Sequence, residues 1–249
     1  GLTHVQHTFN SVLMPDDHYY QTFAMKGTSV SMTGIDFYFN SKKVDAYGEY
    51  ALNDRWQHAV ITGSDILLSG NTAASVQFHS YHQGYYSFYN NGYSVAGGTT
   101  NETGLYTALQ LILDTSNTIT ASVDLYKHPW LKYGLFDISK GAVFKILFDC
   151  KLVNGNRFQT SLQYFSKPIN DTLELEMLKG VEQIDGYSCK LSYQTQVGEK
   201  MTYSAKLLVS VSDLVDDASV ALSQVMAFNP WKKFSCSVGY VMFDAEYQS

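Results

Sequence analysis

The amino-acid sequence predicts an all-β protein, an antiparallel up-and-down transmembrane β-barrel. Three observations lead there: apolar and polar side chains alternate with period two, helical periodicity is nearly absent, and the connections between alternating segments are short and long in turn. The alternation recurs about thirteen times between Leu2 and Phe243. No linker divides the chain, so residues 1–249 read as one domain.

Taken in chain order, the strand signals share one character. Val44, Ala46, Gly48 and Tyr50 stand opposite Asp45, Tyr47 and Glu49. Further on, Ile119, Ala121, Val123 and Leu125 alternate with Thr120, Ser122 and Asp124. The clearest case is 142–152, where Phe144, Ile146, Phe148, Cys150 and Leu152 share one face and Lys145, Asp149 and Lys151 the other. Tyr203, Ala205, Leu207 and Val209 repeat the pattern against Thr202, Ser204 and Lys206. Each strand is greasy on one side and polar on the other.

The connections separate a membrane sheet from a soluble sandwich. Short turns are predicted at 41–43, 69–72, 114–117, 154–156, 198–200 and 229–232. Longer segments fall between them at 10–27, 83–103, 127–140, 167–185 and 212–217, with 53–56 short. Short turns at one end and long loops at the other are the habit of outer-membrane barrels. In hydrocarbon an unpaired backbone group costs several kcal/mol, so such a sheet must close. Single-chain bacterial barrels use an even strand number, whereas about thirteen strands are legible here. The expectation is a fragment of a barrel with about 14 or more strands. A soluble sandwich with a dry core is the alternative. Aromatic belts near the strand ends would favour the membrane, with Tyr126, Trp130, Tyr133, Tyr187, Trp231 and Phe234 suitably placed.

Composition agrees and excludes other classes. Tyr (19) and Gly (18) are abundant and Pro (4) is scarce, which favours strands and turns. A formal charge of -6 offers no basic field for nucleic acid. No run approaches the roughly 18 apolar residues of a spanning helix. Cys150, Cys189 and Cys236 have no metal or disulfide spacing.

Several phrases, in this order, resemble a Bacteroidota family of outer-membrane barrels, the helix-hairpin-helix domain-containing proteins. They are Gly48-Glu49-Tyr50-Ala51, Tyr81-His82-Gln83-Gly84-Tyr85-Tyr86-Ser87, Asn101-Glu102-Thr103-Gly104-Leu105-Tyr106, Pro129-Trp130-Leu131-Lys132-Tyr133-Gly134 and Met242-Phe243-Asp244. The resemblance covers the barrel portion only, and the family's hairpin region has no counterpart here. It implies a multi-pass location in the bacterial outer membrane.

Candidate site residues follow from strand phase. Glu49, Asp124, Lys145, Asp149, Lys151, Lys190 and Lys206 fall on polar faces and are expected to face the lumen, where they either line a pore or pair across strands. The segment 85–103 carries Tyr85, Tyr86, Phe88, Tyr89 and Tyr93, expected to form a binding surface for a protein or glycan, or a plug. His4 with His7 and His79 with His82 point to opposite faces, so no metal site is expected, and no cofactor is implied. His79 with Ser75 or Ser80 is the material for an embedded hydrolase, but no G-x-S-x-G elbow exists. Gly97-Gly98-Thr99-Thr100 lacks the Lys of a phosphate loop. The expected function is therefore non-enzymatic: a pore, or a non-catalytic subunit of an outer-membrane transport or assembly complex. The alternatives are a barrel that anchors and displays its loops and, last, a barrel-embedded hydrolase. Expected partners are outer-membrane lipids and other outer-membrane proteins, with no nucleic acid.

Overall fold

The computed structural model describes residues 1–88, 91–95, 97–135, 137–152, 155–170, 180–198, 200–231 and 234–244. Among these, thirteen strands run in sequence: β1 (Leu2–Leu13), β2 (Gly27–Asn40), β3 (Val44–Asn53), β4 (His58–Ser69), β5 (Thr72–Tyr81), β6 (Glu102–Ile112), β7 (Asn117–His128), β8 (Ser139–Lys151), β9 (Arg157–Asn170), β10 (Val181–Val197), β11 (Met201–Ser212), β12 (Val215–Trp231) and β13 (Phe234–Asp244). They form one sheet whose spatial order is the sequence order, an antiparallel up-and-down meander. A 3-10 turn lies at Tyr19–Gln21 in the connection between β1 and β2.

The short turns owe their geometry to side chains that cap their own backbone. Asp114 accepts from the Asn117 side chain (2.8 Å) and from the amides of Ser116 (2.7 Å) and Asn117 (2.9 Å), and these bonds, the Asn117 side chain foremost, hold its carboxyl below the ordinary carboxylate range. Ser41 accepts from the amide of Val44 at 3.1 Å in the same manner. At 54–57 the Asn53 side chain accepts from the amides of Arg55 and Gln57, and Trp56 takes a positive φ of 61°. The expected loop at 212–217 is a correction: β12 begins at Val215, and Ser212 pairs with Val215 across two residues. Polar composition suggested a loop there, but hydrogen bonding to the neighbouring strand decides the matter. β1 likewise runs on to Leu13, taking in the first four residues of the expected loop that began at Asn10. Part of the expected connection 167–185 is strand, and 171–179 lie outside the described residues.

The chain falls into two compact units, residues 1–108, 123–142 and 167–183, and residues 109–122, 143–166 and 184–249. In an antiparallel pair, directly opposed residues share a face, so the registers carry each face across neighbouring strands. In the first unit one face carries Asp36 opposite Glu49, Asp45 opposite Asp65, Gly63 opposite Gln77 and Ile61 opposite His79. The other carries Ile35 opposite Tyr50, Phe37 opposite Gly48, Phe39 opposite Ala46 and Thr62 opposite Phe78. Ile35, Phe37 and Phe39 are 56–59% exposed there.

The second unit repeats the split. Lys190 opposes Leu208 and Ser192 opposes Lys206 on the polar face, while Cys189 opposes Val209 and Leu191 opposes Leu207 on the apolar one. The rule breaks in β13, where Val241 and Phe243 share the face of Lys206 and both are exposed. Among the described residues seven apolar side chains are buried: Val30, Met32, Ala51, Ala59, Tyr81, Tyr85 and Tyr126. All seven belong to the first unit. Tyr126 therefore does not join an exposed belt as expected. It is two residues from Asp124 on the same strand, so it shares the polar face and is covered there.

Candidate functional site

The first unit holds a buried polar cluster where the connection 82–101 returns over the polar face. Its centre is the pair His79 and Glu102, both fully buried, with His79 Nε2 2.9 Å from Glu102 Oε1. A carboxylate out of water is costly unless it is paired and hydrogen-bonded. Glu102 meets that demand, since the Val95 amide donates to Oε1 (2.8 Å) and the Ser94 hydroxyl to Oε2 (3.0 Å). Next to it Tyr93 donates its phenol to Asp124, and Tyr81 donates its own to the Tyr93 carbonyl at 2.7 Å. Burial, then the hydrogen bond and charge of Asp124, push the Tyr93 phenol well above its ordinary value. Two buried acids thus bind three consecutive loop residues, Tyr93, Ser94 and Val95. Asp124 Oδ1 and His79 Nδ1 are buried without a hydrogen-bond partner among the described residues.

Gly104 on β6 is required by this arrangement. A Cβ there would lie 2.5 Å from His79 Cε1 and 3.1 Å from the Leu125 carbonyl oxygen, so the imidazole occupies the space a side chain would need. At the base of the loop, Asn101 takes φ 54° and its side chain ties down the next connection: it accepts from the Trp130 amide and donates to the Trp130 and Leu131 carbonyls.

Beside the cluster the loop roofs a cavity of about 780 Å³ over the polar face of β1–β5. Glu49 and Asp36 line it, with Tyr47, Tyr81, Tyr85 and Tyr93. The loop thus takes Tyr85 into the core and Tyr93 onto Asp124, while Tyr86 and Phe88 stay about 40% exposed, and Phe88 packs against His7 and Phe9. Tyr89 lies outside the described residues.

The remaining polar-face candidates lie elsewhere. Asp149 pairs with Arg157 of the next strand, whose Nε donates at 2.8 Å, and this partner escapes strand-by-strand reading. Lys145 and Lys151 share the face of Asp149. Lys190 and Lys206 sit diagonally on adjacent strands, opposite Leu208 and Ser192. The structure brings Glu49 together with Tyr85 and Asp124 with Tyr93, and leaves the four lysines out of the cluster. Neither serine considered as a nucleophile meets His79: Ser75 donates to Asp65 at 2.5 Å, and Ser80 bonds Thr103 from the opposite face. Among the described residues no group of His, Cys, Asp and Glu forms a metal-binding set.

At the long-connection end of the first unit, aromatic rings form a chain. Tyr50 contacts His58, His58 contacts His82, His82 contacts Phe23, and Phe23 packs edge-on against Trp130 at 5.2 Å. Tyr20 meets Tyr133 at 5.5 Å, and the Trp130 indole donates to the Tyr19 carbonyl. Burial, and then the neighbouring His58, lower the His82 pKa and favour a neutral ring. In the second unit, Trp231 and Phe234 contact each other across the β12–β13 turn and are exposed.

No protein-family model, curated protein or solved structure matches the chain.

Proposed function

We propose that this chain is a membrane-spanning section of a bacterial outer-membrane β-barrel, serving as a pore or as a non-catalytic subunit of an outer-membrane transport or assembly complex. The observation that supports the reading most is the fate of the apolar face. Side chains such as Phe37, Phe39, Phe144 and Ile146 are 43–57% exposed, and no apolar side chain among the described residues of the second unit is buried. A water-soluble sheet packs such a face against another layer. Acyl chains are the solvent that suits it, with the charged face toward an enclosed lumen.

The reading requires the ends of the strand order, β1 and β13, to be closed, with each other, by further strands or by a partner. Within the first unit the aromatic chain through His58, Phe23 and Trp130, and within the second the Trp231–Phe234 pair, are the kind of amphipathic rings that a membrane interface favours. Kinship with the Bacteroidota barrels named above is part of the same proposal. The inward packing of Tyr85 and Tyr93 favours a constricted lumen over freely displayed loops.

Expression of the full chain behind an outer-membrane leader, followed by carbonate extraction, tests the membrane assignment. The protein is expected to stay with the outer membrane and to need detergent for release. A monodisperse, detergent-free soluble protein would sink the proposal. Planar-bilayer recording then separates a pore, which gives unitary steps, from an anchor, which gives none.

A further inference from the structure

We infer that the cavity over the polar face of β1–β5 is a binding site for an organic cation, an amine, guanidinium or quaternary ammonium group held between Glu49 and tyrosine ring faces. Its volume, about 780 Å³, is that of a small-molecule site, and its lining contains no Lys, Arg or His among the described residues. Two of the lining residues, Asp36 and Glu49, are directly opposed in register on adjacent strands, where like charges repel. Glu49 makes no hydrogen bond or ion pair among the described residues and faces the cavity.

The aromatic wall sharpens the choice of ligand. Tyr47 donates its hydroxyl to Gln77 at 2.6 Å, Tyr81 to the Tyr93 carbonyl and Tyr93 to Asp124. With those protons committed to the wall, the phenol oxygens of Tyr47 and Tyr93, the two that are not fully covered, are left as lone-pair acceptors beside the cavity. Carboxylate, phenol oxygen and ring face are all complementary to a positive charge, and an ammonium over a Tyr face gains further when partly desolvated. An anion finds no Lys, Arg or His among the described lining residues, where an ammonium finds two carboxylates. The site lies wholly within residues 1–108. It needs only the fold of the first unit, so its failure and that of the membrane reading are separate outcomes.

Calorimetric titration of the purified full chain, in detergent where it requires one, tests the assignment with choline, agmatine, the neutral choline isostere 3,3-dimethylbutan-1-ol, and glucose. Choline and agmatine should bind, with the alcohol weaker by about tenfold or more, because charge is what the site selects. Glu49→Gln, on an exposed side chain, should weaken both cations by about tenfold while leaving heat stability unchanged. Tyr47→Phe, which keeps the ring face, should bind them nearly as the parent does. Equal affinity for the alcohol, preference for glucose, indifference to Glu49→Gln, or the absence of cation binding at millimolar concentration would each overturn the inference.

Discussion

Glu102 is fully buried, and its neighbours explain how that is tolerated. It takes hydrogen bonds from a ring nitrogen, a hydroxyl and a backbone amide, so the desolvated charge is shared among donors already in place. Gly104 makes room for the ring that supplies the first of these. In Gly104→Ala the new methyl would stand 2.5 Å from His79 Cε1 and 3.1 Å from a backbone oxygen, and the second cannot move aside. The expected cost is about 1 to 3 kcal/mol, read as a lower denaturant midpoint. An unchanged midpoint would mean that the imidazole has freedom the packing denies it. Strand phase alone puts His79 on the polar side, but its pairing with Glu102 depends on the β5–β6 alignment across the connection 82–101. Local periodicity carries no information about that alignment.

The described residues 91–95 of the connection between β5 and β6 are held in place because polar atoms of three of them find partners on the sheet. Tyr93, Ser94 and Val95 are each bound to Asp124 or Glu102. Asp124 Oδ1 already lacks a partner, so Tyr93→Phe takes away the phenol on its other oxygen. Losing one bond to a buried charged group costs about 1.5 to 3 kcal/mol, which should speed amide exchange at 91–95 by roughly tenfold or more. Exchange unchanged from the parent would show that the loop is held by Glu102 alone. The sequence marks this segment as long, aromatic and glycine-rich, and leaves open whether it projects or folds back. The decision rests with two acids on other strands. The shrinking of the expected connection 212–217 to a two-residue turn has a related cause, since pairing with β11 outweighs local polarity.

At the scale of the molecule, the unpartnered apolar face discriminates between solvents. Ile146, 52% exposed on β8, is a suitable probe. In lipid, Ile146→Lys places a charge among acyl chains and should cost about 2 to 4 kcal/mol if it lies near the midplane. In water the same change at an exposed site should fall within about 0.5 kcal/mol. Lys145→Gln, one residue away on the other face, serves as the control and should be nearly silent in both cases. Denaturation of the refolded protein in lipid vesicles makes the comparison, and a silent Ile146→Lys would contradict the membrane reading.

By itself the sequence determined the antiparallel, up-and-down organisation of about thirteen strands, most of the short turns and the two-faced character of most strands. These depend on period-two alternation and turn chemistry, which are local. The tertiary structure alone decided that Tyr126 is covered, that Arg157 answers Asp149, that His79 meets Glu102 and that the aromatic loop closes over a cavity. Each of these is a relation between strands. Register and loop return are set by the summed pairing of distant segments, which no single segment encodes.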